Sequence, residues 1–168
     1  SNGNQQPIIN LFENVRLIHL GIRDNGNLSR LALYPYLSDF LKSMEDFRSR
    51  EGIEYDLIHS HYWLSGRLGS WAQELWDRPH LVMFHTLGEV KNQTGVGRPE
   101  SGLRIDAEKE LVKTCHRILA PTDREKDNLI HHYGVCSEKI GVVPCGVNLN
   151  LFRPEPKQVA RKRLGFDP

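Results

Sequence analysis

The chain has 168 residues, 39% of them hydrophobic, and a formal net charge of +1, which suits one ordinary domain and gives no indication of nucleic acid or an anionic membrane as a bulk partner. No apolar run approaches the roughly 20 residues that a transmembrane helix needs. The three cysteines form no CxxC pair, and this favours a reduced, cytoplasmic protein.

The first third of the chain predicts a short hairpin and then a helix. Residues 15–20 (VRLIHL) have a strand pattern, and residues 8–12 are interpreted as a short partner strand across a two-residue Glu-Asn turn. Apolar residues at three- and four-residue spacing predict a helix over 33–50, with Pro35 in its first turn.

The rest of the chain alternates strand patterns with helix patterns. Strands are predicted at 55–60, 80–85, 117–121 and 140–144. Helices are predicted at 64–77, 103–115, 122–133 and 159–164, with a glycine-rich loop at 92–102. Strands joined by helical crossovers form parallel sheets. The sequence therefore predicts an α/β fold, a Rossmann-like parallel sheet with helices on both faces.

Polar and aromatic side chains follow two of these strands. His59, His61 and Tyr62 lie at the end of one strand, and His85 and Thr86 follow the next. In open parallel sheets, ligands bind at the carboxyl ends of the strands. A neutral imidazole at His85 can donate a hydrogen bond to a sugar hydroxyl, although a structural cap is an equal alternative.

His59 and His61 are two residues apart and face the same side of a strand, as in some zinc sites. A tetrahedral site needs further ligands, and no cysteine or carboxylate is suitably paired with them. We therefore expect no metal. In the alternative interpretation His59 packs beneath a helix and His61 hydrogen-bonds a loop.

Basic residues surround the same loops. They are Arg30, Lys91, Arg98 and Arg104. Arg104 is predicted at the start of a helix, where a guanidinium and the helix dipole both favour a phosphate. The alternative for each is a solvated surface charge. The sequence contains no P-loop, no GxGxxG, no GxSxG and no evident nucleophile pair.

Five segments, taken in order, resemble the retaining glycosyltransferases of the GT-B fold. They are DLIHSHYWLSG, HLVMFHTLGEVKN, LRIDAEKELV, RILAPTDREKDNLIHHYGV and KIGVVPCGVNLNLFRP. Within that family the resemblance is to the inositol-phosphate N-acetylglucosaminyltransferases of mycothiol synthesis and to sucrose-phosphate synthases.

The resemblance implies a partial domain. The family has two Rossmann-like domains facing a cleft, and residues 1–150 resemble the acceptor-binding one without its first strand, glycine-rich turn and second strand. Residues 151–168 resemble the interdomain junction. Without those strands, residues 15–20 lose their neighbours, so we expect them to pair elsewhere, or chains to associate into a homo-oligomer through an exposed sheet edge.

The resemblance also implies a function. The whole protein would transfer a sugar from a nucleotide-sugar, a UDP-sugar in many members, to a small phosphorylated polyol or sugar. The nucleotide-sugar is a co-substrate held by the missing carboxy-terminal domain; no cofactor is expected, and the fragment alone is expected to be inactive. Attack on the donor's front face, helped by the donor's own phosphate, would need no protein nucleophile.

Individual positions match family sites. Tyr62 and Thr86 match acceptor contacts, and Arg104 matches the phosphate-binding arginine. Arg30 aligns where the family usually has lysine, and His85 matches the catalytic-site histidine near the reacting sugar. On the donor side, the matching position is Gly146.

Two other classes of function stay open at this point. One is a non-catalytic phosphosugar-binding or assembly module of the same topology. The other is an NAD-binding domain, which the missing GxGxxG disfavours.

Overall fold

The computed structural model describes residues 8–20, 29, 31–95 and 97–166. Its strands are β1 (Ile8–Phe12), β2 (Val15–Ile18), β3 (Ile58–His61), β4 (His80–Met83), β5 (Arg117–Ala120) and β6 (Ile140–Val142). Its α-helices are α1 (Leu37–Glu51), α2 (Tyr62–Trp76), α3 (Gly88–Thr94), α4 (Gly102–Thr114), α5 (Asp123–Tyr133) and α6 (Lys157–Arg163). Short 3₁₀ helices lie at Leu31–Tyr36 and Ser137–Lys139.

The centre of the fold is a four-stranded parallel sheet in the order β3-β4-β5-β6. Its two inner strands carry the core, where Val82, Phe84, Ile118 and Ala120 are completely buried. Strands covered on both faces have nearly continuous apolar runs, which is why HLVMF and RILA lie at the centre. The Rossmann-like α/β prediction is confirmed.

Helices flank the sheet, and α2 lies close against α4. A Cβ at Gly66 would lie 2.7 Å from the Cδ1 atom of Leu111, so any larger residue there would force the Leu111 side chain to move. Gly66 is one turn after Tyr62, the first residue of α2. The helix contact therefore holds Tyr62 near the beginning of α4.

β1 and β2 form an antiparallel hairpin that is separate from the parallel sheet. Ile8 pairs with Ile18, and Phe12 pairs with Val15, which confirms the predicted partner strand and turn. Among the described strands, β2 pairs with β1 alone. This agrees with the expectation that the segment finds a neighbour outside the parallel sheet.

The outer edge of β3 has no strand beside it in the described part of the chain. An apolar cavity of about 320 Å³ adjoins this edge. It is lined by Ile18, Leu20, Phe40, Met44, Phe47, Tyr55, Leu57, Ile58 and Trp76. Association of chains across this edge stays a prediction.

Helix α3 lies just before and inside the segment that the sequence indicates as a glycine-rich loop, 92–102. Leu87 provides no side-chain cap at its beginning. The N–H of Gly88 instead donates to Glu108 Oε2 at 2.9 Å. This cap comes from α4, so the local sequence does not reveal it.

The helix predicted over 33–50 begins as 3₁₀ helix and becomes α-helical only at Leu37. The cause is Pro35, which has no N–H and whose ring crowds the preceding turn. α2 begins two residues earlier than predicted, directly after β3. In the described ranges no helix combines the length and apolar character needed to cross a membrane.

Candidate functional site

The candidate site lies at the carboxyl ends of β3 and β4. His61 is paired with Met83 in the register of these two strands, so both strands end at the same level. Tyr62 follows β3 directly, and His85 and Thr86 follow β4 after one residue. The sheet thus brings the polar residues predicted at two strand ends to one edge, where parallel α/β sheets bind ligands.

Two of these residues have unusual backbone conformations. Tyr62 has φ of 73° and His85 has φ of 62°, in the left-handed region. For a bulky side chain this conformation is a clear outlier and costs about 1–3 kcal/mol. Strain of this kind concentrates at functional sites, and here both outliers lie side by side on the sheet edge.

Arg104 joins the two strand ends from α4. Its Nη2 group donates to the carbonyl oxygen of Thr86 at 2.8 Å and to Thr86 Oγ1 at 2.9 Å. Its Nη1 group donates to the Tyr62 hydroxyl at 3.3 Å, and its Cζ lies 5.0 Å from the centre of the Tyr62 ring. The structure therefore brings Tyr62, Thr86 and Arg104 together.

A buried carboxylate balances the charge of Arg104. Glu108 is completely buried, and its Oε1 accepts a hydrogen bond from Arg104 Nε at 2.7 Å. Its Oε2 accepts from the N–H of Gly88 and from the Tyr133 hydroxyl at 2.5 Å. Glu108 thus links α4 to the beginning of α3 and the end of α5, and it fixes the direction of the guanidinium.

The pKa values of this cluster follow from burial and from Glu108. Burial would lower the pKa of Arg104, but the hydrogen bond and charge of Glu108 outweigh it and raise the pKa. Burial, followed by the hydrogen bond to Glu108, also raises the pKa of Tyr133. Arg104 is therefore a cation and Tyr133 a neutral donor.

A cavity of about 220 Å³ adjoins Arg104. It is lined by Leu31, Tyr62, Trp63, Pro99, Glu100, Ser101 and Arg104. Ligand pockets usually enclose about 300–1,000 Å³, so this space suits one end of a small ligand. The wall of the cavity contains a guanidinium and a phenol hydroxyl, which both hydrogen-bond phosphate oxygens. The end of the ligand that enters this cavity can therefore be a phosphate.

His85 is paired with His61. The distance from His61 Nδ1 to His85 Nε2 is 2.7 Å, so one ring donates and the other accepts. Burial, with the nearby charge of His61, lowers the pKa of His85, and the ring is neutral at pH 7. It borders a second cavity of about 200 Å³, lined by His85, Thr86, Leu87, Val90, Lys91, Glu125 and Asn128.

The alternative interpretation of the strand histidines is wrong for His59 and confirmed for His61, which hydrogen-bonds His85 in the loop after β4. His59 and His61 are exposed, so neither packs beneath a helix, and His61 contacts His85 as well as His59. In the ranges that the structure covers, no group of three or more His, Cys, Asp or Glu residues could hold a metal ion.

Among the described residues that were predicted for the site, Gly146 lies away from this cluster. Arg30 lies outside the described residues. Gly146 follows β6, and β4 and β5 separate β6 from β3. Gly146 therefore follows the strand at the opposite edge of the described sheet from the one that Tyr62 follows. Lys91 forms an ion pair with Glu100, and Arg98 is exposed.

Sequence reasoning missed Glu100 and Glu108. A signal was present for Glu108, which is four residues after Arg104 in the predicted helix, the spacing at which opposite charges meet, whereas Glu100 precedes the helix. The pattern could not show that the pair Arg104–Glu108 would be buried.

A profile of the family described as Glycosyltransferase Family 4 matches residues 10–151. D-inositol 3-phosphate glycosyltransferase from Thermobispora bispora is 39% identical over 163 residues, covering 95% of this chain and 38% of that protein. The enzyme of the same name from Corynebacterium glutamicum is 35% identical over 167 residues, covering 96% of this chain and 40% of that protein. The chain thus spans about two fifths of the length of the curated relatives it matches.

Solved structures agree with the fold. Sucrose-phosphate synthase from Thermosynechococcus elongatus superimposes with a TM-score of 0.84 at 26% identity, over 98% of this chain and 40% of that chain. Anabaena HepE in complex with UDP and glucose has a TM-score of 0.56 at 19% identity, over 84% of this chain and 35% of that chain, and shows the fold alone.

Proposed function

The chain belongs to glycosyltransferase family 4, and from this premise we propose that it is the acceptor-binding part of a retaining enzyme that transfers a sugar from a UDP-sugar to a phosphorylated polyol or sugar. The observation that carries the proposal is the meeting of Tyr62 and Thr86 on Arg104 at the sheet edge, where Tyr62 and Arg104 line one cavity. Relatives named for an inositol phosphate, and a structural neighbour named for sucrose phosphate, support a phosphorylated acceptor.

Each residue has a proposed role. Arg104 binds the acceptor phosphate, because its cationic guanidinium faces the cavity and a guanidinium suits phosphate oxygens. Tyr62 and Thr86 supply hydroxyl groups beside it. His85, with a neutral ring next to Thr86, hydrogen-bonds the reacting sugar. Arg30 adds a second cation to the phosphate, and Gly146 lies on the donor side.

The reaction needs little from the protein beyond placement. The acceptor hydroxyl oxygen bonds to the anomeric carbon of the donor while the bond from that carbon to the UDP oxygen breaks. The hydroxyl proton passes to a phosphate oxygen of the departing UDP on the same face. The protein then accelerates the reaction in two ways. It positions the acceptor hydroxyl next to the anomeric carbon, and it stabilises the negative charge that develops on UDP.

Residues 151–168 are proposed to be the junction to a nucleotide-sugar domain, and residues 1–150 the partial acceptor domain. Several large apolar side chains near the junction are exposed, among them Leu149 and Leu151, each 71% exposed, and Phe152, 65% exposed. Such side chains usually contact another surface. On this proposal, the 168-residue chain alone has no transferase activity.

The proposal is tested by assaying UDP release from the whole protein that the gene encodes. We expect turnover with inositol phosphate or a sugar phosphate, and a kcat/KM at least about 100-fold lower with the unphosphorylated acceptor, because a phosphate bound by arginine contributes several kcal/mol. Thr86→Val should lower kcat/KM for the phosphorylated acceptor by roughly tenfold, since it removes one hydrogen bond to a charged group.

Thr114→Val is the matched control, since Thr114 is exposed at the end of α4 and away from the cavity. Its kcat/KM should equal that of the wild type. Equal rates with phosphorylated and unphosphorylated acceptors would contradict the proposal. Phosphate binding without any turnover would indicate the binding-module function instead.

A further inference from the structure

Every nitrogen of the Arg104 guanidinium already has partners within the protein. Nε is bonded to Glu108, and Nη2 makes two bonds to Thr86. Nη1 contacts the Tyr62 hydroxyl at 3.3 Å and Glu100 Oε1 at 2.9 Å. A guanidinium has five N–H donors, so a phosphate that binds Arg104 must replace one of these partners.

Only some of these partners can leave. Glu108 is completely buried and also holds Gly88 and Tyr133, so its removal would leave several buried groups unpaired. One Thr86 contact is a backbone carbonyl. Glu100 differs, because its side chain is 22% exposed and lines the 220 Å³ cavity. It is the charged partner that a ligand entering the cavity meets first.

The backbone of Glu100 is held in place independently of its side chain. Asn92 Oδ1 accepts from the N–H of Glu100 at 2.7 Å, and Asn92 Nδ2 donates to its carbonyl at 3.4 Å. The carboxylate also forms an ion pair with Lys91. Rotation of the side chain would therefore release both Arg104 and Lys91 without moving the chain.

The carboxylate of Glu100 has the surroundings of a bound anion. It lies between two cations, Lys91 and Arg104, beside a phenol hydroxyl. The hydrogen bond from Lys91, together with the charge of Arg104, lowers the pKa of Glu100, so it is negatively charged at neutral pH. A phosphate oxygen would be stabilised by the same three groups.

We propose that Glu100 is an internal substitute for the acceptor phosphate, which a phosphate monoester displaces from Arg104 while also gaining the contact with Lys91 that Glu100 gives up. This inference rests on the proposed function and adds a specificity-determining residue to it. A doubly charged phosphate gains more from two cations than a single carboxylate does, so it displaces Glu100. An uncharged polyol gains nothing from them, so Glu100 stays and the site rejects it.

The test is calorimetric titration of the whole protein with inorganic phosphate. Glu100→Gln removes the competing charge and keeps the shape, so phosphate should bind roughly tenfold more tightly, the size of a charged hydrogen bond that no longer has to be broken. Adding Lys91→Met to Glu100→Gln should reverse most of that gain.

Glu110→Gln is the matched control. Glu110 lies on α4 and pairs with Arg67 at 2.7 Å, away from the cavity. It removes the same charge, so it reports any effect of net charge alone and should leave phosphate affinity within about twofold of the wild type, as expected for an exposed pair.

Two outcomes would overturn the inference in distinguishable ways. If the wild type binds phosphate and Glu100→Gln binds it equally or more weakly, Glu100 is not a competitor, while the proposed function stands. If neither protein binds inorganic phosphate or a phosphorylated polyol, the phosphate site itself is absent, and the proposed function fails with the inference.

Discussion

Arg104 is a cation with 1% of its surface exposed, and it serves the fold as well as the site. Its removal would leave Glu108 as an unpaired charge in the core, a change that typically costs about 3–5 kcal/mol. Loss of activity in Arg104→Ala would therefore not distinguish a binding role from unfolding. Thr86 and Glu100 are better probes, because both reach the cavity region without supporting the core.

His80 gives the fold a dependence on pH. Its ring is completely buried, and Ser60 Oγ lies 2.7 Å from its Nε2. Burial, with smaller contributions from His116 and His59, lowers the pKa of His80 to about 4. The unfolded state has the ordinary value of about 6.5 and binds the proton first, so stability falls as the pH drops from about 6.5 towards 4.

Urea unfolding at pH 7 and pH 5 measures this effect. We expect the free energy of unfolding to fall by about 2 kcal/mol through His80 across that interval. His80→Gln should show a smaller fall, and the exposed His131→Gln should keep the fall of the wild type. An equal fall in wild type and His80→Gln would show that His80 is not the source.

At the scale of elements, α2 reaches the sheet only because it carries small residues. A Cβ at Gly69 would overlap the ring of His80, with its Cε1 2.6 Å away. Gly69→Ala should therefore destabilise the protein by about 1–3 kcal/mol, although alanine is the better helix former. The melting temperature of the variant checks this.

Gly102→Ala is the control for helix propensity. Gly102 begins α4, and a Cβ there would meet nothing within 4 Å. The substitution should leave the melting temperature unchanged or raise it. If Gly69→Ala is as stable as Gly102→Ala, the packing of α2 described above is wrong.

The strands and most helices were predictable because their apolar patterns match the faces they bury. Strand β4 reads HLVM and lies at the centre of the sheet, as its continuous apolar run indicates. Helix α3 was not predictable, since its first N–H is satisfied by Glu108, twenty residues away. Pro35 was expected in the first turn of an α-helix, but it lies near the end of the 3₁₀ helix Leu31–Tyr36, before α1 begins.

The site was predictable only in part. Tyr62, Thr86 and Arg104 were expected from the family resemblance, and the structure brings them together. The sequence could not show that the charge of Arg104 is already neutralised by Glu108 and Glu100, because pairing depends on burial and on loop geometry.

At the scale of the whole molecule, the cluster proposed to bind the acceptor and the residue proposed for the donor side lie at different places along the described sheet. Tyr62 follows an edge strand, whereas Gly146 follows the opposite edge strand. A transfer reaction needs the two substrates in contact. On the proposed function, the donor is held by a further domain and reaches along the edge of the sheet towards His85. His85 follows β4, which lies between the strands that precede Tyr62 and Gly146.

The most direct test of the phosphate site is a crystal structure of the whole protein with inositol phosphate and UDP. We expect a phosphate oxygen at about 2.8 Å from Arg104 Nη1, with the Glu100 side chain turned away, as in charge-assisted bonds to phosphate. A phosphate bound elsewhere, with Arg104 still held by Glu100, Tyr62 and Thr86, would contradict the assignment of this cluster to the acceptor.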